Sequence, residues 1–180
     1  DKLPVPAVEG VLPHLDTAFA DTDDSNIYVK LDYYISRRNQ ATDTQSGIEY
    51  HSSRIYTLDV TDERYTEFIE IPEHYIDQDT LDVLEMEKEE MLYEFLGVCS
   101  GGYFFLLSPA EGSYYELLIL NTENSVVERT KIILKDTELL YRTFYLTPEG
   151  ILTGLLVEEQ EAHVAWWRCD KIIERDRERV

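Results

Sequence analysis

The feature that most constrains this chain is a grammar of short apolar and aromatic runs separated by turn residues, written three times along 180 residues. In the first copy Leu15, Ala18, Phe19 and Ala20 lead into the turn-forming Asp21-Thr22-Asp23-Asp24-Ser25-Asn26, followed by Ile27 to Ile35. Past a polar stretch from Ser36 to Gly47 comes Ile48 to Val60, then Tyr65, Phe68, Ile69 and Ile71, stopped by Pro72, which has no N–H to give to a ladder. The second copy runs through Phe95 to Cys99, Tyr103 to Leu107, Tyr114 to Leu120 and Val126 to Leu134, with turns at Ser100-Gly101-Gly102, Ser108 to Gly112 and Asn121 to Asn124. The third takes Tyr141, Phe144 and Leu146 to the turn Thr147-Pro148-Glu149-Gly150, then Ile151 to Val157 and Val164 to Ile173. The third run of each copy ends alike, in Leu58-Asp59, Leu120-Asn121 and Cys169-Asp170, with Asp or Asn where a turn begins.

These runs predict an all-β, antiparallel protein of four-strand units. Thirteen Tyr, six Phe and two Trp support strand over helix, because flat rings pack well on a pleated surface. The layout is an extended lead-in over residues 1–10, punctuated by Pro4 and Pro6, and a repeat domain over 11–173. That domain holds units at 11–72, 93–135 and 139–173, an acidic insertion at 73–92, and a charged tail at 174–180. Across the insertion Leu81, Leu84, Met91, Leu92 and Phe95 approximate helical spacing behind Asp79 as an N-cap, which predicts one short inserted helix.

The unit resembles a β-propeller blade of the loose NHL-type class. The residues that carry the likeness are Ser25-Asn26-Ile27-Tyr28-Val29 and Pro148-Glu149-Gly150-Ile151-Leu152, at the innermost turn and second strand. A propeller closes with at least four blades. The resemblance therefore implies a piece of a longer propeller, two copies paired into a six-bladed ring, or an open sandwich of sheets. The pattern is also similar to propeller repeats of bacterial surface or periplasmic lipoproteins of the spirochaetal kind, with Leu3-Pro4-Val5-Pro6 resembling the spacer after a lipidated cysteine. That likeness implies a cell-envelope location; a cytoplasmic repeat module is the alternative. The start at Asp1 fits a processed or trimmed form.

Sixteen Lys and Arg against thirty-seven Asp and Glu give a formal charge of -21, which repels phosphate backbones and anionic head groups. Nucleic acid is thereby disfavoured, and basic peptides, metal cations and neutral sugars remain as partner classes. No apolar run approaches the roughly twenty residues that cross a bilayer as a helix. No Walker loop, dinucleotide fingerprint or kinase signature is written in the chain, so no cofactor is implied.

Candidate site residues follow from residue type. Trp166-Trp167 lies in a strand, where neighbours face opposite ways, so one indole enters the core and the other points outward. Exposed Trp and Tyr are common anchors for protein or carbohydrate ligands, which makes Trp166, Trp167, Tyr114 and Tyr115 the binding candidates. A catalytic alternative is Gly97-Val98-Cys99-Ser100-Gly101-Gly102, similar to the nucleophile elbow of α/β-hydrolases, with His163 as base and Asp170 or Asp136 orienting it. A third reading is a calcium-stabilised adhesin, in which Asp21, Asp23, Ser25 and Asp32 supply oxygen ligands, although Asn26 stands where a calcium loop needs glycine. His14, His51, His74 and His163 show no metal-ligand spacing, and Cys99 and Cys169 no CxxC pair. The sequence thus points to a non-catalytic interaction or scaffold module that receives a protein or carbohydrate partner on propeller loops.

Overall fold

The computed structural model describes residues 6–20, 25–39, 44–72, 92–99, 102–110, 114–123, 125–133, 141–158 and 161–178. The antiparallel all-β expectation is met: the described chain forms eleven strands in three meanders and one helix, each strand pairing with its neighbours in sequence. The first sheet contains β1 (Val11–Ala20), β2 (Asn26–Asn39), β3 (Thr44–Asp59) and β4 (Arg64–Ile71). The second contains β5 (Glu94–Cys99), β6 (Tyr103–Ala110), β7 (Tyr114–Asn121) and β8 (Val126–Ile133). The third has three strands among the described residues, β9 (Tyr141–Leu146), β10 (Ile151–Glu158) and β11 (Glu161–Arg168), followed by α1 (Asp170–Arg177). The chain divides into two compact units, Asp1–Glu73 with the first sheet and His74–Val180 with the other two.

The turns expected after Asp59, Asn121 and Thr147 form, whereas much of the polar stretch from Ser36 to Gly47 is strand, with β2 running to Asn39 and β3 starting at Thr44, and Ser108 to Ala110 still belong to β6. Asp59 Oδ1 accepts the N–H groups of Thr61 and Asp62 at 2.8 and 3.0 Å, and Asn121 Oδ1 those of Glu123 and Ser125 at 3.1 and 3.2 Å. In each case a short side chain replaces the backbone partner that the strand end lacks. Between β9 and β10, Gly150 donates to the Thr147 carbonyl at 3.0 Å and holds φ +89, a left-handed conformation that relieves the turn without a Cβ.

In the second unit two sheets pack face to face. Tyr103, Phe105 and Leu107 of β6, with Tyr115, Leu117 and Ile119 of β7, meet Phe144, Leu146, Leu152 and Trp167 of the third sheet in one apolar cluster. The Phe144 ring stands 5.6 Å from Tyr115 and 6.3 Å from Trp167, centroid to centroid. Gly154 makes room for this approach, since a Cβ there would lie 3.2 Å from Phe144 and 3.3 Å from Trp167. The opposite face of the second sheet is buried as well, through Phe95, Phe104, Leu106, Leu118 and Leu120.

Two expectations are corrected. Residues 169–173 do not extend a strand, because Cys169 is the N-cap of α1, and the helix takes in the charged residues Glu174 to Arg177. Cys169 and Ile173 are one helical turn apart and both are buried in the same core. The helix carries Asp170 in its first turn and Arg175 and Arg177 in its last, charges that suit its dipole. It docks through Tyr103, whose hydroxyl donates to Asp176 at 3.1 Å beneath the Arg177 guanidinium. Phe95, counted with the inserted helix, belongs instead to β5; the remainder of that prediction, over residues 77–91, lies outside the described residues.

Gly150 tests this account. Gly150→Ala is expected to lower stability by about 1–2 kcal/mol, since alanine is strained at positive φ, and its Cβ would sit 3.1 Å from Ile173 Cδ1. The exposed Glu149→Ala is expected to stay within about 0.5 kcal/mol. Urea unfolding midpoints of the two variants measure the difference.

Candidate functional site

The outer face of the third sheet is apolar and open. Alternation along β11 turns Trp167 into the core and Trp166 outward, so that the Trp pair divides as its strand position requires. Trp166 is 62% exposed, Val164 67% and Tyr145 65%. Register gathers these residues. Trp166 pairs with Thr153, which pairs with Tyr145, and Val164 pairs with the exposed Leu155, which pairs with Thr143. Two adjacent cross-strand rows therefore present an indole, a phenol and two aliphatic side chains on one face. Large rigid side chains of this kind bury much surface for little rotamer entropy when a partner covers them.

The other binding candidates are differently placed. Tyr115 is buried against Phe144 and Trp167 is packed in the cluster, so neither is free to meet a ligand. The side chain of Tyr114 lies outside the described residues.

The elbow reading fails on geometry. A nucleophile elbow needs a helix directly after the nucleophile, whereas Cys99 ends β5 and the chain returns antiparallel in β6. Cys99 is buried in the apolar cluster and is not part of a disulfide. Asp170 is committed elsewhere, pairing with Arg168 through contacts of 2.5 and 3.3 Å, which holds its carboxyl below the usual range. The His163 side chain and all of Asp136 lie outside the described residues. Cys169 is the second buried thiol, pushed up to about 11 first by burial and then by the charges of Asp170 and Glu128.

The calcium reading loses its Asp32 ligand to a cation already present. Lys30 Nζ is 2.8 Å from Asp32 Oδ1 and 3.0 Å from Asp16 Oδ2, and Ser53 Oγ also donates to Asp32. Lys30 is 1% exposed and Asp32 4%. They share one face of the first sheet with Ile55, which pairs with Lys30, and Ser53, which pairs with Asp32. On the other face the Tyr33 and Tyr56 hydroxyls meet at 2.7 Å, beneath the Arg54 guanidinium at 5.6 Å from the Tyr33 ring. Asp21 and Asp23 lie outside the described residues, and no three His, Cys, Asp or Glu converge among the described ones.

Sequence reasoning missed Tyr145, Val164 and Leu155. Val164 has the same strand parity as Trp166, which was readable; Tyr145 and Leu155 join it only through the hairpin registers. Nothing in the sequence marked Lys30 as buried. Compared with family models, curated proteins and solved structures, the chain matches none.

Two outcomes follow. Asp32→Ala strands the buried Lys30 beside a single carboxylate and is expected to cost about 3–5 kcal/mol, whereas Asp16→Ala, at the partly exposed end of the cluster, is expected to cost about 1 kcal/mol or less; chemical denaturation compares them. Folding holds the Cys169 thiol at about 11, above its ordinary 9.0, so the folded state keeps a proton that the unfolded chain loses first. Stability is then full below about pH 9 and falls as pH rises toward 11, by about 2 kcal/mol from this group. Tyr33 and Tyr93 act in the same direction at higher pH, raised first by burial and then by their bonds to Tyr56 and Glu116. Melts between pH 8 and 11 are expected to show the decline, and Cys169→Ala to flatten its first part.

Proposed function

We propose that this chain is a non-catalytic interaction module that engages a protein partner on the outer face of its third sheet. The observation that carries the reading is Trp166, more than half exposed beside Val164, Tyr145 and Leu155, on a sheet whose other face is core. Contiguous apolar surface of this kind marks an interaction site, because single exposed apolar residues are ordinary and clustered ones are not. The face belongs to the sheet itself rather than to the propeller loops.

The same proposal includes a propeller-like stacking of the sheets. Its support is the meander order of every sheet, the face-to-face packing of the second and third, and the approach of their first strands. A Cβ on Gly97 of β5 would lie 3.8 Å from Leu146 Cδ2 of β9. A place in the bacterial envelope rests on the likeness of Leu3-Pro4-Val5-Pro6 to a lipoprotein spacer. A carbohydrate partner is the second reading, favoured by the exposed indole and phenol.

Peptide and glycan arrays probed with wild-type protein and with the Trp166→Ser, Tyr145→Ser double variant test the reading, with Cys99→Ala as control. Peptide signals are expected to fall about tenfold or more in the double variant, a loss of about 1.4 kcal/mol, and to persist in Cys99→Ala. Signals indifferent to the double variant overturn the proposal. Signals confined to glycans replace the protein partner with a sugar.

A further inference from the structure

We infer that β11 is the acceptor for a fourth strand supplied by the partner: an extended, cationic segment with apolar residues at alternate positions. This rests on the outer face being the contact surface, and it adds the mode of pairing and the chemistry of the occupant.

The first and second sheets each have four strands and the third has three. Its β9 side is occupied, because β9 lies against β5. Among the described residues its β11 side is an edge, where β11 pairs with β10 alone. The helix that follows does not take the fourth position. Its contacts run instead to Tyr103 at the start of β6 and, through Ile173, to the Gly150 turn.

The parity of the ladder shows which backbone groups face the edge. Cys169 N–H donates to the Gly150 carbonyl at 3.0 Å. Counting back by twos, Leu152 with Trp167 and Gly154 with Ala165 are the hydrogen-bonded pairs, and Thr153 with Trp166 and Leu155 with Val164 are the non-bonded ones. The N–H and C=O groups of Val164 and Trp166 therefore point away from β10, to the open side. Their side chains stand on the exposed outer face. One pair of residues thus offers both a backbone ladder and its apolar anchors, which is the requirement for strand addition.

Charge selects the occupant. The chain carries -21, while Arg168 at the C-terminal end of β11 is already paired with Asp170. A second copy would bring another -21 and be repelled; a segment carrying Lys or Arg is attracted and steered.

The probe is a synthetic peptide of about eight residues, alternating Thr and Val and ending in two Lys, titrated into the full chain by calorimetry with amide exchange followed by NMR. Two controls accompany it, one N-methylated on its β11-facing amides and one ending in two Glu. The Lys peptide is expected to bind, less tightly as salt rises, and to slow exchange at Val164 and Trp166 about tenfold or more, leaving Ala165, already bonded to β10, unchanged. Val164→Pro, which removes the outward N–H together with the isopropyl anchor and no bond to β10, is expected to fold and to bind at least about tenfold more weakly. Equal binding of the N-methylated peptide overturns strand addition while leaving the Trp166 face as the contact. Equal binding of the Glu peptide overturns the charge assignment. Protection of Val164 that grows with protein concentration alone makes a second copy the occupant and overturns the inference. No binding of any peptide also overturns it, and array signals that depend on Trp166 then keep the face reading standing by itself.

Discussion

A β-sheet that is apolar on both faces cannot be stable without a layer on each side, and the second sheet is of that kind. Strands β6 and β7 send Phe105, Leu107, Leu117 and Ile119 one way and Phe104, Leu106, Leu118 and Leu120 the other, all of them buried. The third sheet exists as one of those layers. It gives Phe144, Leu146, Leu152 and Trp167 to the shared cluster, and α1 closes the end of the interface with Cys169 and Ile173. Period-two alternation then leaves Tyr145, Leu155, Val164 and Trp166 on the far side. The open face is a direct consequence of how the core is built.

The first sheet meets the same demand by different chemistry. Tyr33 and Tyr56 bury their rings and satisfy their hydroxyls on one another, while Lys30, Asp32 and Ser53 place a hydrogen-bonded charge cluster on the opposite face. A hydrophobic set of similar volume would cost less to bury. A buried lysine neutralised by Asp16 and Asp32 does, however, help fix the register of β1 on β2, because a one-residue slip would carry Asp16 to the other face, away from Lys30.

Most strand positions, the turns after Asp59 and Asn121, and the split of Trp166 from Trp167 were legible because each depends on residues close in sequence, whereas the polar residues Ser36 to Asn39 and Thr44 to Gly47 read as a turn yet extend the β2–β3 hairpin. The C-terminal helix was not. Ile172 and Ile173 fit either period over so short a segment, and only the core beneath Ile173 decides between them. Cys99 misled for a related reason. Glycines around a nucleophile describe a hairpin turn as well as an elbow, and the direction of the following strand, a tertiary fact, separates the two. Tyr145 and Leu155 became part of a site only once β9, β10 and β11 were aligned.

Charge and the open edge belong to one physical problem. Among the described residues no strand lies beyond β11, and an edge strand beside exposed Val164 and Trp166 is a template for self-assembly that natural sheets protect with charge. Here the protection is spread over the whole chain, with thirty-seven acidic residues against sixteen basic ones. Every identical copy is repelled by the same field that draws in a cation. Within a Debye length of about 8 Å at physiological salt, that field still acts on a segment laid directly along β11. Acidity therefore sorts what can reach the proposed acceptor strand, against the chain's own kind and toward a basic one.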